Sequence, residues 1–283
     1  MQTNAELHSD QIDYWNGAGG SRWVQRQAAT DVMLAPFADL LLAESGLQAG
    51  DAVVDLGCGC GATTAAVAAR VGEAGRVLGL DVSAPMLAQT RERLSAFSNA
   101  TCVCADAASH AVEPPADHVV SRFGVMFFGD PAAAFANVRR WLKPGGRLTF
   151  MCWRPIQENP WMQVPLHAAY THVPRLPKPD PEAPGPFSFA DPARVRRILS
   201  QAGFAAPAIR PFDRKVDLAC GRGLPDAVRN AMTIGATSRA VQDQPDDVQR
   251  RVADAIGEAL APFVSGAEVP LDAAVWVVTT QRD

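Results

Sequence analysis

An apolar run that ends in an acid and then meets three glycines at alternate positions, Val53-Val54-Asp55-Leu56-Gly57-Cys58-Gly59-Cys60-Gly61-Ala62, constrains this chain more than any other stretch. The Ala-rich segment Thr63 to Val71 follows, so the whole reads as strand, tight loop and helix. Glycines let a backbone take positive φ and come close to a ligand, and the first turn of the helix offers unpaired N–H groups. The stretch therefore predicts a ligand cradle at the end of a buried strand.

The pattern around it fills in a sheet. Arg76 to Asp81 reads as a second strand and Thr101 to Ala105 as a third; His118 to Arg122 is a fourth and Arg147 to Trp153 a fifth. Helices are expected between them at Ser83 to Leu94, with Ser83 as N-cap, and from Asp130-Pro131 to Leu142, where Lys143-Pro144-Gly145-Gly146 makes the turn. Strands alternating with helices at this spacing predict an α/β, Rossmann-like, doubly wound sheet covered on both faces. Ligands of such sheets bind at the carboxyl ends of the strands.

On either side of this core the regularity changes. Residues 1–45 read as an N-terminal helical and aromatic cap: Tyr14, Trp15 and Trp23 flank a Gly-rich run, and a helix from Met33 to Gly46 either begins or kinks at Pro36. The cofactor-binding core is expected over 46–153. Nine prolines within 154–190 make that segment a lid insertion with a short helix at Trp161 to Tyr170. Core resumes over 191–218, a helical lid insertion covers 219–268, and a final apolar strand occupies 269–283. Two late strands, near 212 and 276, are expected to pair antiparallel at the sheet edge.

The charge excludes some partners. A net charge of −4, with the arginine pairs scattered over separate helices, leaves no basic stripe for nucleic acid. No run reaches membrane-spanning length and the polar N-terminus resembles no targeting peptide, so a cytoplasmic location is expected. The six cysteines show no C-x-x-C spacing and are expected to be reduced and buried; Cys102 and Cys104 point the same way on one strand and should fill core, and no metal site is expected. Oligomeric state leaves no mark in the sequence.

The loop fits two ligand classes. Gly57 to Ala62 matches the G-x-G-x-x-G/A dinucleotide pattern, which leaves a nicotinamide-dependent oxidoreductase open. Asp81, 20 residues beyond Gly61, suits the hydroxyls of a ribose in either case. Asp55 beside the loop would repel a pyrophosphate and welcome an ammonium group. Asp106 at the end of the third strand suits the exocyclic amine of an adenine.

At these residues, with Leu142 to Leu148, the sequence resembles the class I S-adenosylmethionine-dependent methyltransferases over roughly 48–153. The resemblance implies a seven-stranded sheet, mostly parallel with the last strand antiparallel, and S-adenosyl-L-methionine as cofactor. It further implies that Gly57, Cys58 and Gly59 approach the methionine moiety, that Asp81 holds the ribose, that Val82 and Met86 flank the adenine, that Asp106 with Ala107 contacts the base, and that Ser121 lies near the reactive end. The stretches Tyr14 to Gly17 and Ser121 to Phe128 look like a subgroup related to quinone-biosynthesis and bacterial secondary-metabolite enzymes, in which aromatics such as Trp15 and Trp23 close over the cofactor. A non-catalytic protein that retains the cofactor site is the other reading.

Phe123, Met126, Phe127 and Phe128, with Trp153 and Trp161, predict a pocket for an apolar or aromatic small-molecule acceptor. A hydroxyl acceptor would benefit from a general base. Of five histidines, His118 is expected away from the site and His8 in a loose tail; His167, in the lid helix, is the candidate.

Overall fold

The computed structural model describes every residue except 1, 2 and 179. Three helices lead the chain: α1 (Asn4–Asn16), α2 (Ala18–Gln25) and α3 (Gln27–Ser45). The core follows as β1 (Ala52–Leu56), α4 (Ala62–Val71), β2 (Arg76–Asp81), α5 (Ala84–Leu94), β3 (Ala100–Cys104), β4 (Ala116–Arg122), α6 (Pro131–Trp141) and β5 (Leu142–Trp153). Next come α7 (Pro160–Ala169), α8 (Pro192–Gln201), β6 (Ala208–Asp217), α9 (Leu224–Met232), α10 (Gly235–Val241), α11 (Asp246–Leu260) and β7 (Pro270–Gln281).

The strands form a single seven-stranded sheet in the order β3-β2-β1-β4-β5-β7-β6. Neighbours from β3 to β5 are parallel, and β7 inserts antiparallel between β5 and β6. Every residue of β1 is buried, as a central parallel strand with both faces covered requires. The order places the chain reversal between β1 and β4, so the loops after these two strands face each other across the carboxyl edge.

Aromatic packing covers the sheet on both sides. On one, Phe37 of α3 meets Phe123 and Trp153; on the other, Phe135 of α6 packs with Phe150 and Phe189. Phe37, Phe135 and Phe150 are fully buried, each contributing roughly 1.5–3 kcal/mol of transfer free energy.

Several expectations change in detail. α3 starts at Gln27, so Pro36 lies within it instead of opening it, and Gly46 closes it at φ 73°. The turn expected at Lys143–Gly146 runs inside β5, whose pairing with β4 shifts register between Ala116 and His118. Ser83 stands at the N-cap of α5 but does not cap it; its hydroxyl donates instead to the Trp15 carbonyl at 2.6 Å. Cys104 is exposed and Cys102 only partly buried, because β3 is the edge strand, paired with β2 on one side and with no strand on the other. All six cysteines are free. His8 is not in a loose tail: α1 carries it onto the carboxyl edge of the sheet. Among the described residues no helix is long and apolar enough to cross a membrane.

Candidate functional site

The loop after β1 is built by backbone. Gly57 and Cys58 both donate to the Leu80 carbonyl, at 2.8 and 3.1 Å, which ties the loop to β2. Gly57, at φ 69°, abuts the loop after β4 so closely that a Cβ there would stand 2.8 Å from Gly124 Cα. Its glycine identity thus serves loop-to-loop contact. Gly59, at φ 56°, has freer surroundings: an added Cβ would first meet Met86 Sδ and Trp23 Nε1, each at 3.9 Å. The open face of the cradle is therefore at Gly59, floored by Met86 and roofed by Trp23.

Three acids surround this point. Asp81 is 7% exposed; its Oδ2 accepts from Gly59 N at 2.8 Å and its Oδ1 from Ser83 N at 2.9 Å. Burial raises its pKa, opposed by the backbone amides of Ser83, Gly59 and Val82. Asp55 is 1% exposed, and only its Oδ2 is satisfied, by the Thr64 hydroxyl at 2.6 Å. Its Oδ1 is buried without a partner, and burial pushes the carboxyl up to about 6. An orphaned buried acceptor of this kind is rare in native proteins and points to a missing donor. Asp106 accepts from Ala108 N at 2.8 Å and pairs with His8 Nε2 at 2.9 Å.

The N-terminal helices lie directly over these acids. The Asn16 amide donates to the Val82 carbonyl at 3.0 Å and accepts from Ala84 N at 3.1 Å. Trp15 packs edge-on against Phe127, with centroids 5.1 Å apart, and against Trp23 at 6.1 Å. Ala107 is buried, and its carbonyl accepts from Asn137 at 2.9 Å. Ser121, wholly buried, donates to the Leu56 carbonyl at 2.7 Å and so ties β4 to β1 below the loop. The chain thus brings Trp15, Trp23, Asp55, Gly57, Cys58, Gly59, Asp81, Val82, Met86, Asp106, Ala107 and Ser121 to one edge of the sheet. His167 is exposed on α7, with no hydrogen bond to any of these residues.

Cys58 and Cys60 flank the cradle as packing. Burial pushes the Cys60 thiol up to about 12 and the Cys58 thiol well above its ordinary value, so neither is a ready nucleophile. Beyond the loop, Phe123 holds φ 69°, a strained conformation for a bulky side chain, while stacked on Trp153 with centroids 4.0 Å apart. Trp161 of α7 adjoins Trp153 at 5.2 Å, its ring tilted by 51°.

Two residues of this site escaped the sequence reading: His8 and Asn16. Both lie on α1, and the spacing of His8, Ile12 and Trp15 at i, i+4 and i+7 is the periodic signal that would have placed them on a helix face.

Residues 53–146 match a family model described as a methyltransferase domain. A trans-aconitate 2-methyltransferase of Methylobacterium radiotolerans is 32% identical over 70% of this chain and 70% of its own length. The chain belongs to the class I S-adenosylmethionine-dependent methyltransferases. A demethylmenaquinone methyltransferase of Staphylococcus aureus is 27% identical over 61% of this chain and 75% of its own length. Against other curated relatives the matches span 44%, 63% and 52% of those proteins. Among solved structures, a Haemonchus contortus phosphoethanolamine N-methyltransferase 2 in complex with S-adenosyl-L-methionine aligns with TM-score 0.52 at 15% identity, covering 99% of this chain and 58% of that one, a likeness of methyltransferase fold.

The site suits the family's cofactor by its own chemistry. An orphaned Asp55 oxygen is an acceptor for an ammonium, and Asp81 and Asp106 keep lone pairs for hydroxyl and amine donors.

Proposed function

We propose that the protein transfers a methyl group from S-adenosylmethionine to a small-molecule acceptor with an apolar or aromatic body, in secondary metabolism or quinone-like biosynthesis. The observation that carries the acceptor class is the aromatic cluster at the ends of β4 and β5, where Phe123 stacks on Trp153, Phe37 meets Phe123 edge-on and Trp161 leans on Trp153. The methyltransferase relatives named above support a small molecule; one is named for trans-aconitate and one for demethylmenaquinone.

On this reading Asp81 takes the ribose hydroxyls, Val82 and Met86 flank the adenine, Asp106 with Ala107 reads the base, and Gly57, Cys58 and Gly59 line the methionine end, where Asp55 Oδ1 takes the ammonium. Trp15 and Trp23 close the site from above, and Ser121 holds the ends of β1 and β4 at a set separation near the reactive end. Bound there, S-adenosylmethionine supplies an electrophilic methyl group on a sulfonium. The chain's task is to hold the acceptor in line behind it and to exclude water, and positioning of that kind is worth on the order of 7–11 kcal/mol in favourable cases. A carboxylate needs no base from the protein, whereas a carbon acceptor needs orientation for the transfer and releases its proton after the new bond forms. For a hydroxyl acceptor His167 is the candidate base: a kcat loss of roughly 100-fold in His167→Gln supports that role, and an unchanged kcat removes it.

The deciding experiment incubates the chain with methyl-labelled donor and a panel of carboxylic acids, including trans-aconitate, alongside phenols and quinols, and identifies labelled product. Label on a phenol or quinol supports the aromatic acceptor, and label on trans-aconitate alone replaces it with an acid. Calorimetry with S-adenosylmethionine, NAD and NADP tests the donor in parallel. Tight binding of NAD in place of S-adenosylmethionine would overturn the reading.

A further inference from the structure

The face of the sheet covered by α6 and α8 holds an arginine that the fold leaves partly unsatisfied. Arg194, in the first turn of α8, is 7% exposed, yet its Nε and Nη1 are buried without a hydrogen-bond partner. Its Nη2 donates to the Glu182 backbone carbonyl at 2.9 Å. The acid that reaches it is Glu182, whose Oε2 stands 2.8 Å from Nη1 without the alignment of a hydrogen bond and whose side chain is 62% exposed. That same carboxylate also pairs with Arg197 at 2.7 Å. A buried cation served by an exposed, shared acid is poorly neutralised, because exposed pairs contribute little and buried unpaired donors are costly. The first turn of a helix disfavours a cation further and favours an anion.

Arg194 stands in the wall of a cavity of about 470 Å³ whose apolar lining is Pro155, Pro181, Phe187, Pro192 and Trp276. Trp276 pairs with Cys152 across β5 and β7, and the Cys152 thiol donates to the Phe189 carbonyl, so the indole lies on the sheet face opposite Phe123 and Trp153. The cavity is thus separate from the glycine cradle. Two more acids line it, and both are engaged. Glu158 ion-pairs with Arg154, whose guanidinium lies 5.2 Å over the Trp276 ring, and Asp191 Oδ1 accepts from Ala193 N at 2.8 Å.

We infer that this cavity is a second ligand site, for a small carboxylate with a flat apolar or aromatic body. Glu182 is the stand-in: its exposed side chain swings out to Arg197, and the ligand's carboxylate takes the planar donors of Arg194, which match two carboxylate oxygens. The body of the ligand lies between Trp276, Phe187 and the prolines. The site goes beyond methyl transfer and uses none of the cradle residues.

Ligand-detected NMR titration of the full chain with benzoate, benzamide and benzylamine tests this. Benzoate is expected to bind at least about tenfold more tightly than the neutral amide or the amine. Arg194→Met should weaken benzoate by roughly tenfold or more, and Arg194→Lys, a charge without the fork, by less. Glu182→Ala, at an exposed position that leaves the fold intact, removes the competing carboxylate and should tighten benzoate roughly three- to fivefold. Benzoate bound equally by wild type and Arg194→Met overturns the inference, as does preference for benzylamine. If Arg194→Met does not fold, Glu182→Ala decides: affinity unchanged or weakened there, or no benzoate binding by either it or wild type, also overturns it.

Discussion

Asp81 shows how one side chain combines scaffold and ligand work. Both of its oxygens accept backbone amides, from Gly59 and Ser83, so it holds the loop after β1 against the start of α5. Asp81→Ala is therefore expected to do two things: weaken binding of S-adenosylhomocysteine severely, and cost about 1–3 kcal/mol of stability for each amide left buried without an acceptor. Asp81→Asn keeps one acceptor and should lose affinity with a smaller stability change. Calorimetry and urea denaturation on both variants check this, and wild-type affinity in Asp81→Ala would remove the ribose assignment. Asp55 makes the opposite case, a residue whose charge the fold tolerates poorly. Burial pushes its carboxyl up to about 6 from an ordinary 3.8, so the folded state holds the proton more tightly than the unfolded chain. The resulting contribution is fully present below pH 3.8 and is lost as pH rises through about 6, an effect on the order of 3 kcal/mol for this one group. Asp55→Asn removes that term. The variant is expected to show a smaller fall in urea midpoint between pH 4 and pH 7 than wild type, while binding S-adenosylhomocysteine more weakly.

At the scale of elements, α1 and α2 act as a roof several of whose attachments run to ligand-site groups. His8 is on Asp106, Asn16 on Val82 and Ala84, the Trp15 carbonyl on Ser83, and Trp15 itself on Phe127. None of the residues of α1 is fully buried, so the helix contributes little to the hydrophobic core. Deleting residues 1–17 is expected to leave the sheet folded, with a thermal midpoint close to wild type, but to reduce S-adenosylhomocysteine affinity by tenfold or more. A large drop in midpoint would mark the helix as structural. The loops after β1 and β4 are coupled in a different way, through glycine against glycine. Gly57→Ala places a Cβ 2.8 Å from Gly124 Cα at a φ of 69°, and should cost at least about 1–3 kcal/mol in denaturation experiments.

Across the whole molecule, the N-terminal cap and the late helices meet over the same edge. Arg22 bonds Gln242, Arg26 bonds the Thr233 carbonyl, and the Cys220 thiol lies 3.5 Å from the Ala29 carbonyl. Residues some 200 positions apart thus form one clasp around the carboxyl ends of the strands. Cofactor binding is expected to raise hydrogen-exchange protection in α1–α2 and in α9–α10 together, while the β6–β7 edge stays unchanged; protection confined to α4 and α5 would show that the two lids do not move as one.

The core elements were legible because their signals are local. Apolar runs alternating with helical segments located the strands and helices of 52–153, the acid at the end of each of three strands was visible by spacing, and the late antiparallel pair followed from two apolar runs. Short-range signals failed where a distant partner decides. Cys104 alternates like a core residue but sits on the edge strand, and Ser83 has the chemistry of a cap but donates to Trp15, 68 positions away. By itself the sequence determined the sheet, the cradle and the acids that face it, since glycine spacing and strand ends are properties of the chain. Only the tertiary structure decided that His8 and Asn16 roof the cradle, that Gly57 packs on Gly124, and that one oxygen of Asp55 is buried without a partner. Burial and pairing depend on what the rest of the chain brings to the same place.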